Sequence, residues 1–108
     1  MPWTTAAEVA ARIGPTAPAD DPVIASVTAA AIEEVRDGRA TAGWVDDPDI
    51  VPNAAVHEAV LLEAVSLYRQ RAAVDGFPSF QELDTAPPPA AVWARVKRLA
   101  RFPRAAIG

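Results

Sequence analysis

Apolar residues recur at helical spacing in four stretches of this chain, and turn-forming residues separate the stretches. The first opens at Thr5-Ala-Ala-Glu8, the spacing of a capping box, in which Thr5 accepts a free N–H and Glu8 reaches back to Thr5. Val9 and Ile13 lie one turn apart, and Gly14-Pro15 stops the helix, so residues 14–20 read as a loop. The second begins at Asp21-Pro22, an N-cap followed by proline where its missing N–H is harmless. Ile24, Val27, Ala31 and Val35 share a face, and Asp37-Gly38 is read as the stop. Residues 38–52 form a loop that is expected to pack, because it carries Trp44 beside Val45; a short β-hairpin is expected near residues 40–46.

Pro52 is read as opening the third and longest helix, to about Val74. At 100° per residue its apolar positions, from Val56 to Ala72, cover about two-thirds of the circumference, whereas one packed surface needs closer to a third. The helix is therefore either the centre of the domain or shared with an adjacent subunit. Gly76 stops it, and Phe77, Pro78 and Phe80 make an aromatic loop. Ala86-Pro-Pro-Pro89 reads as a stiff extended spacer. Beyond it, Val92, Trp93, Val96, Leu99 and Ala100 form one face of a last helix, and Arg95, Lys97, Arg98 and Arg101 take the other. Phe102-Pro103 ends it, and no internal repeat is present. The expected fold is all-α: a small bundle of about four helices with one long central helix and a basic C-terminal arm.

Charge sharpens this layout. The chain has 108 residues and a net charge of −4. Residues 1–84 hold all 14 acids and only Arg12, Arg36, Arg39, Arg69 and Arg71 as bases, a charge of −9. Residues 85–108 hold Arg95, Lys97, Arg98, Arg101 and Arg104 with no acid, a charge of +5. Within one domain, an acidic helical body (1–84) is followed by a proline spacer and basic helix (85–108). No apolar run approaches the roughly 20 residues of a membrane span, and no signal peptide is read at the N-terminus.

Candidate chemistry is sparse. With no cysteine and His57 as the single histidine, neither a thiolate site nor a histidine-based metal cluster or triad is expected. His57 reads as a partly buried residue near a helix start. Glu58 and Glu63 are five apart and do not share a face, which makes them a poor catalytic pair. Asp46, Asp47 and Asp49 lack the glycine and closing glutamate of a calcium loop and read as a solvated turn, with Asp47 or Asp49 as a cap. No phosphate-binding loop or nucleophile elbow occurs. The chain is not expected to be an enzyme and no cofactor is expected.

The basic helix has three readings: phosphate binding, docking on an acidic protein surface, or a solvated face. The absence of acids over the last 24 residues weakens the third, because solvated faces mix signs. Arg69 and Arg71, near the end of the long helix, compensate its dipole or pair with a neighbour's acids. The expected partner-interface residues are Arg69, Arg71, Arg95, Lys97, Arg98, Arg101 and Arg104.

Four segments together resemble the head–tail connector (adaptor) family of long-tailed double-stranded DNA bacteriophages. They are Trp3 to Val9; Val35-Arg-Asp-Gly-Arg39 with Trp44 beyond it; Val51 to Val60 running into Ala64 to Arg71 and Asp75-Gly76; and Val92 through Arg104 to Gly108. Where the family's turn after the long helix carries an arginine run, Gln70 stands within it here. The resemblance implies a structural virion protein of the head–tail neck, assembled in the host cytoplasm. It implies a homo-oligomeric ring, twelvefold in the particle, that joins the portal protein to a tail-completion or tail-terminator protein while the genome passes through without specific binding. An acidic body then suits a channel wall that repels phosphates. A basic arm is expected to contact protein, since gripping DNA would hinder its passage. Two rivals stand beside this reading: a small helical DNA-binding or DNA-packaging protein using the basic helix, and one helical subunit of a two-protein regulatory pair.

Overall fold

The computed structural model describes residues 2–15, 17, 18, 20–74 and 88–101. Among the described residues the fold is all-helical, with no strand. Four helices occur in them: α1 (Ala6–Ile13), α2 (Pro22–Thr41), α3 (Ala54–Val74) and α4 (Pro89–Ala100).

The helix starts follow local chemistry. The Thr5 hydroxyl accepts the Glu8 N–H at 3.2 Å and donates to the Glu8 carboxylate at 3.2 Å, so the reach-back goes to the hydroxyl instead of the backbone. Asp21 Oδ1 accepts the Val23 N–H at 2.8 Å, with Pro22 next in line. The third helix starts later than Pro52. Asn53 is its cap, accepting the Val56 N–H at 3.0 Å on its side chain, and Pro52 precedes it. Proline carries no side-chain acceptor for the orphan N–H groups, and asparagine does.

Helix α3 is the centre of the bundle. It touches α1, α2 and α4. Val56, Ala59, Val60 and Ala64 are fully buried, with Leu61 and Val65 nearly so. They meet Val9 of α1, Ile24, Ala31 and Val35 of α2, and Val96 and Ala100 of α4 in one core. The broad apolar arc thus meets neighbours within the chain on more than one side, as the central helix of the bundle does. Among the described residues Trp3 is the largest fully buried side chain, and it belongs to the same core.

Two expectations about the loop are corrected. Helix α2 does not stop at Asp37-Gly38 but continues to Thr41, and no hairpin forms near residues 40–46. The extra turn carries Arg39, whose buried contacts outweigh the roughly 1 kcal/mol that a glycine costs inside a helix. Ala42 and Gly43 then form a turn, and Gly43 takes φ +100°, a left-handed conformation that favours glycine. Of the loop's large apolar residues, Trp44 packs and Val51 joins the core, whereas Ile50 is exposed and Val45 is 98% exposed.

The expected C-terminal arm is, through Arg101, a packed helix of the bundle. Val96 and Ala100 are fully buried, and α4 lies along α3. Pro88 precedes it in polyproline geometry (φ −62°, ψ 148°), and Arg101 ends it in the left-handed region (φ 58°, ψ 47°). The stop at Gly76, the aromatic loop, the remainder of the proline spacer, the Phe102-Pro103 stop and Arg104 lie outside the described residues.

Candidate functional site: a charge-divided helical surface

The bundle's exposed charge is divided between helices. Glu33, Glu34 and Asp37 are exposed on α2, and Arg95, Lys97 and Arg98 on α4, with Arg101 just beyond. Arg69 and Arg71 are exposed in the last two turns of α3. Arg71 already makes an interaction within the chain, and it stands in the last turn, where a cation compensates the helix dipole. Structure therefore gathers four of the seven expected interface residues, Arg95, Lys97, Arg98 and Arg101, on one helix and its cap. It leaves Arg69 and Arg71 on another helix.

Between α2, α3 and the first turns of α4 lies an open groove of about 800 Å³. Glu34 and Asp37 of α2, Glu63, Leu67 and Gln70 of α3, and Trp93 of α4 line it. Glu63 is only 6% exposed. Burial, then the hydrogen bond and the charge of Glu34, push its carboxyl up to about 8, so Glu63 holds its proton at neutral pH. Among the described residues no arginine, lysine or histidine forms an ion pair with either. Glu63, which shares no face with Glu58, pairs instead with Glu34 of another helix. Its place inside the apolar arc of α3 was the only sequence signal that it would be buried.

Arg39 is the second feature that sequence spacing did not reveal. Its side chain is 3% exposed. Nε and Nη2 donate to the two Asp46 carboxylate oxygens at 2.6 and 2.9 Å, and Nη1 donates to the Ala100 carbonyl at 2.8 Å. The guanidinium carbon lies 4.6 Å from the centre of the Trp44 ring. Trp44 Nε1 in turn donates to the Arg101 carbonyl at 3.0 Å. The end of α2, the loop and the end of α4 are thereby tied together. Trp3 Nε1 donates to the Asp47 carbonyl at 3.0 Å and pins the other side of the loop.

The acidic turn is thus divided in role. Asp46 is the half-buried counter-ion of Arg39, Asp47 accepts the Asp49 N–H at 2.7 Å, and neither Asp47 nor Asp49 caps α3. Among the described residues no group of three or more His, Cys, Asp or Glu could hold a metal ion.

Helix α1 clips onto the first turn of α3. Arg12 donates to both Glu58 oxygens at 2.8 and 2.9 Å. These bonds, with the charges of Arg12 and Arg95, hold the Glu58 carboxyl below the usual carboxylate range against the opposing effect of burial. His57 Nε2 lies 2.8 Å from Glu8 Oε2, though off the line a hydrogen bond prefers. The clip joins two elements of one bundle.

No protein-family model, curated protein or solved structure matches this chain. Among the described residues no helix is long and apolar enough to cross a membrane.

Proposed function

We propose that this chain is a structural virion protein, the head–tail connector subunit of a long-tailed bacteriophage. Copies of it form a ring in the neck, join the portal to a tail-completion protein, and leave a passage for the genome. The sequence resemblance motivates this reading, and the division of exposed charge between α2 and α4 carries it on the structural side. A connector subunit must meet like subunits and unlike proteins while letting DNA slide. Acidic residues facing a channel repel phosphate, and a basic helix suits an acidic protein surface. The test is co-sedimentation of the purified chain with portal-containing heads that lack tails, followed by electron microscopy of the heads. The expected result is a ring at the portal vertex. Heads that remain bare would sink the proposal.

The exposed bases of α4 also favour a second reading, a small DNA-binding or DNA-packaging protein. A mobility-shift titration separates the two. Salt-sensitive binding that disappears in the Arg95→Ala, Arg98→Ala, Arg101→Ala triple variant would support the second reading over the connector.

A further inference from the structure

The groove between α2, α3 and α4 has a composition that the described residues do not complete. One wall bears Glu34, Asp37 and the almost fully buried Glu63; Leu67 and Trp93 supply apolar surface, and Gln70 an amide. Burying a carboxyl next to a second carboxyl is unfavourable for the charged form of either, and no cation of the described residues pairs with them. An arginine side chain matches the carboxyl and aliphatic parts of this lining. It offers planar, paired N–H groups to the carboxylates and a hydrocarbon stem to Leu67. The same chain displays such groups elsewhere on its surface, because Arg95, Lys97, Arg98 and Arg101 are all exposed on α4 or at its cap.

We infer that this groove is a docking site for a second copy of the chain, receiving a basic side chain from the exposed face of the neighbour's α4. Groove and basic face are different surfaces of one protomer, so every copy carries both halves of the contact. The inference builds on the proposed self-assembly and assigns it a surface. Charge complementarity selects a second copy as the occupant, and the apolar lining keeps the contact from being purely long-range attraction.

Proton linkage gives this contact a signature. Among the described residues, the charged groups facing Glu63 are Glu34 and, farther along α2, Asp37, while α4 contributes the uncharged Pro89 and Trp93. An arriving cation favours ionised Glu63 and expels the proton that the empty groove retains. Association should therefore tighten as pH rises from 6 to 8, by up to about tenfold per unit.

Sedimentation velocity and mass photometry over a concentration series test the inference on the whole chain. Wild type is expected to associate. Glu34→Lys is expected to weaken association at least tenfold, as is Arg98→Glu combined with Arg101→Glu. An equimolar mixture of these two variants should associate again, because each presents the charge that the other lacks. Glu34 is exposed, so its variant tests the contact without emptying the core. Association that ignores both variants would overturn the groove assignment and leave ring formation standing. A chain that stays monomeric at all concentrations and at pH 8 would overturn the second copy as occupant, whereas the connector reading is decided by binding to heads. Glu63→Gln supplies the last check: association that persists should lose its dependence on pH, and a pH dependence unchanged from wild type counts against the groove.

Discussion

Arg39 and Asp46 face each other through two parallel hydrogen bonds, 2.6 and 2.9 Å long, in a site where the arginine side chain is only 3% exposed. The arginine comes from the last turn of α2 and the aspartate from the loop that follows. The remaining guanidinium nitrogen reaches a carbonyl at the end of α4. Replacing Asp46 with alanine leaves a buried cation with no counter-ion. The expected loss is about 3–5 kcal/mol of folding stability. Urea denaturation of the variant measures it, and a loss below about 1 kcal/mol would show that the site is more open to water than its geometry implies.

Arg12 and Glu58 form the same two-bond pattern in the opposite environment. Their side chains are 42% and 37% exposed, so water and salt screen the pair. A double-mutant cycle with Arg12→Ala and Glu58→Ala should give a coupling of at most about 1 kcal/mol. Because Glu58 is held below its ordinary range, the stability it contributes is present above about pH 4.5 and is lost as pH falls through its folded value. Glu58→Gln should therefore lose less stability than wild type on acidification below that point.

Glu63 reverses the sign. Its carboxyl, ordinarily near 4.5, is raised to about 8 in the fold. The folded chain holds a proton that the unfolded chain releases, so this contribution is fully present below about 4.5 and is lost as pH rises toward 8. The slope is at most about 1.4 kcal/mol per pH unit. Glu63→Gln keeps the hydrogen-bonding shape and removes the titration. Its stability should vary less between pH 5 and 8, and at pH 8 it should exceed that of wild type. Thermal melts across that range decide the matter, and parallel curves for the two proteins would refute a raised Glu63 carboxyl.

Much of the helical layout was legible in the sequence, because it rests on local rules. Thr5, Asp21 and Gly14 mark helix ends by chemistry that acts within a few residues. The position of α3 was legible only as a pair of alternatives, since an arc of apolar residues does not say which chain covers it. Gly38 misled because its stop signal is local, and Arg39, one residue later, is held by partners 7 and 61 positions away. Glu63 was obscured for the same reason. Its partner Glu34 lies on a different helix, and no spacing within α3 points there. Long-range pairing of charged groups is set by tertiary packing, which periodicity does not encode. The basic helix was legible as a charge run, but its packing on the body became clear only from Val96 and Ala100 at full burial.

The end of α4 offers a stabilising change. Arg101 occupies the left-handed region at φ 58° and ψ 47°, a conformation that costs a residue with a Cβ about 1 kcal/mol and costs glycine little. Its bond with Trp44 Nε1 uses the backbone carbonyl, which any residue supplies. Arg101→Gly should therefore keep the Trp44 contact and relieve the strain, raising stability by roughly 0.5–1 kcal/mol and Tm by a few degrees. Arg101→Ala removes the same charge and retains the strain, so it should show no such gain. Equal melting temperatures for the two variants would mean that the helix end relaxes out of the left-handed region.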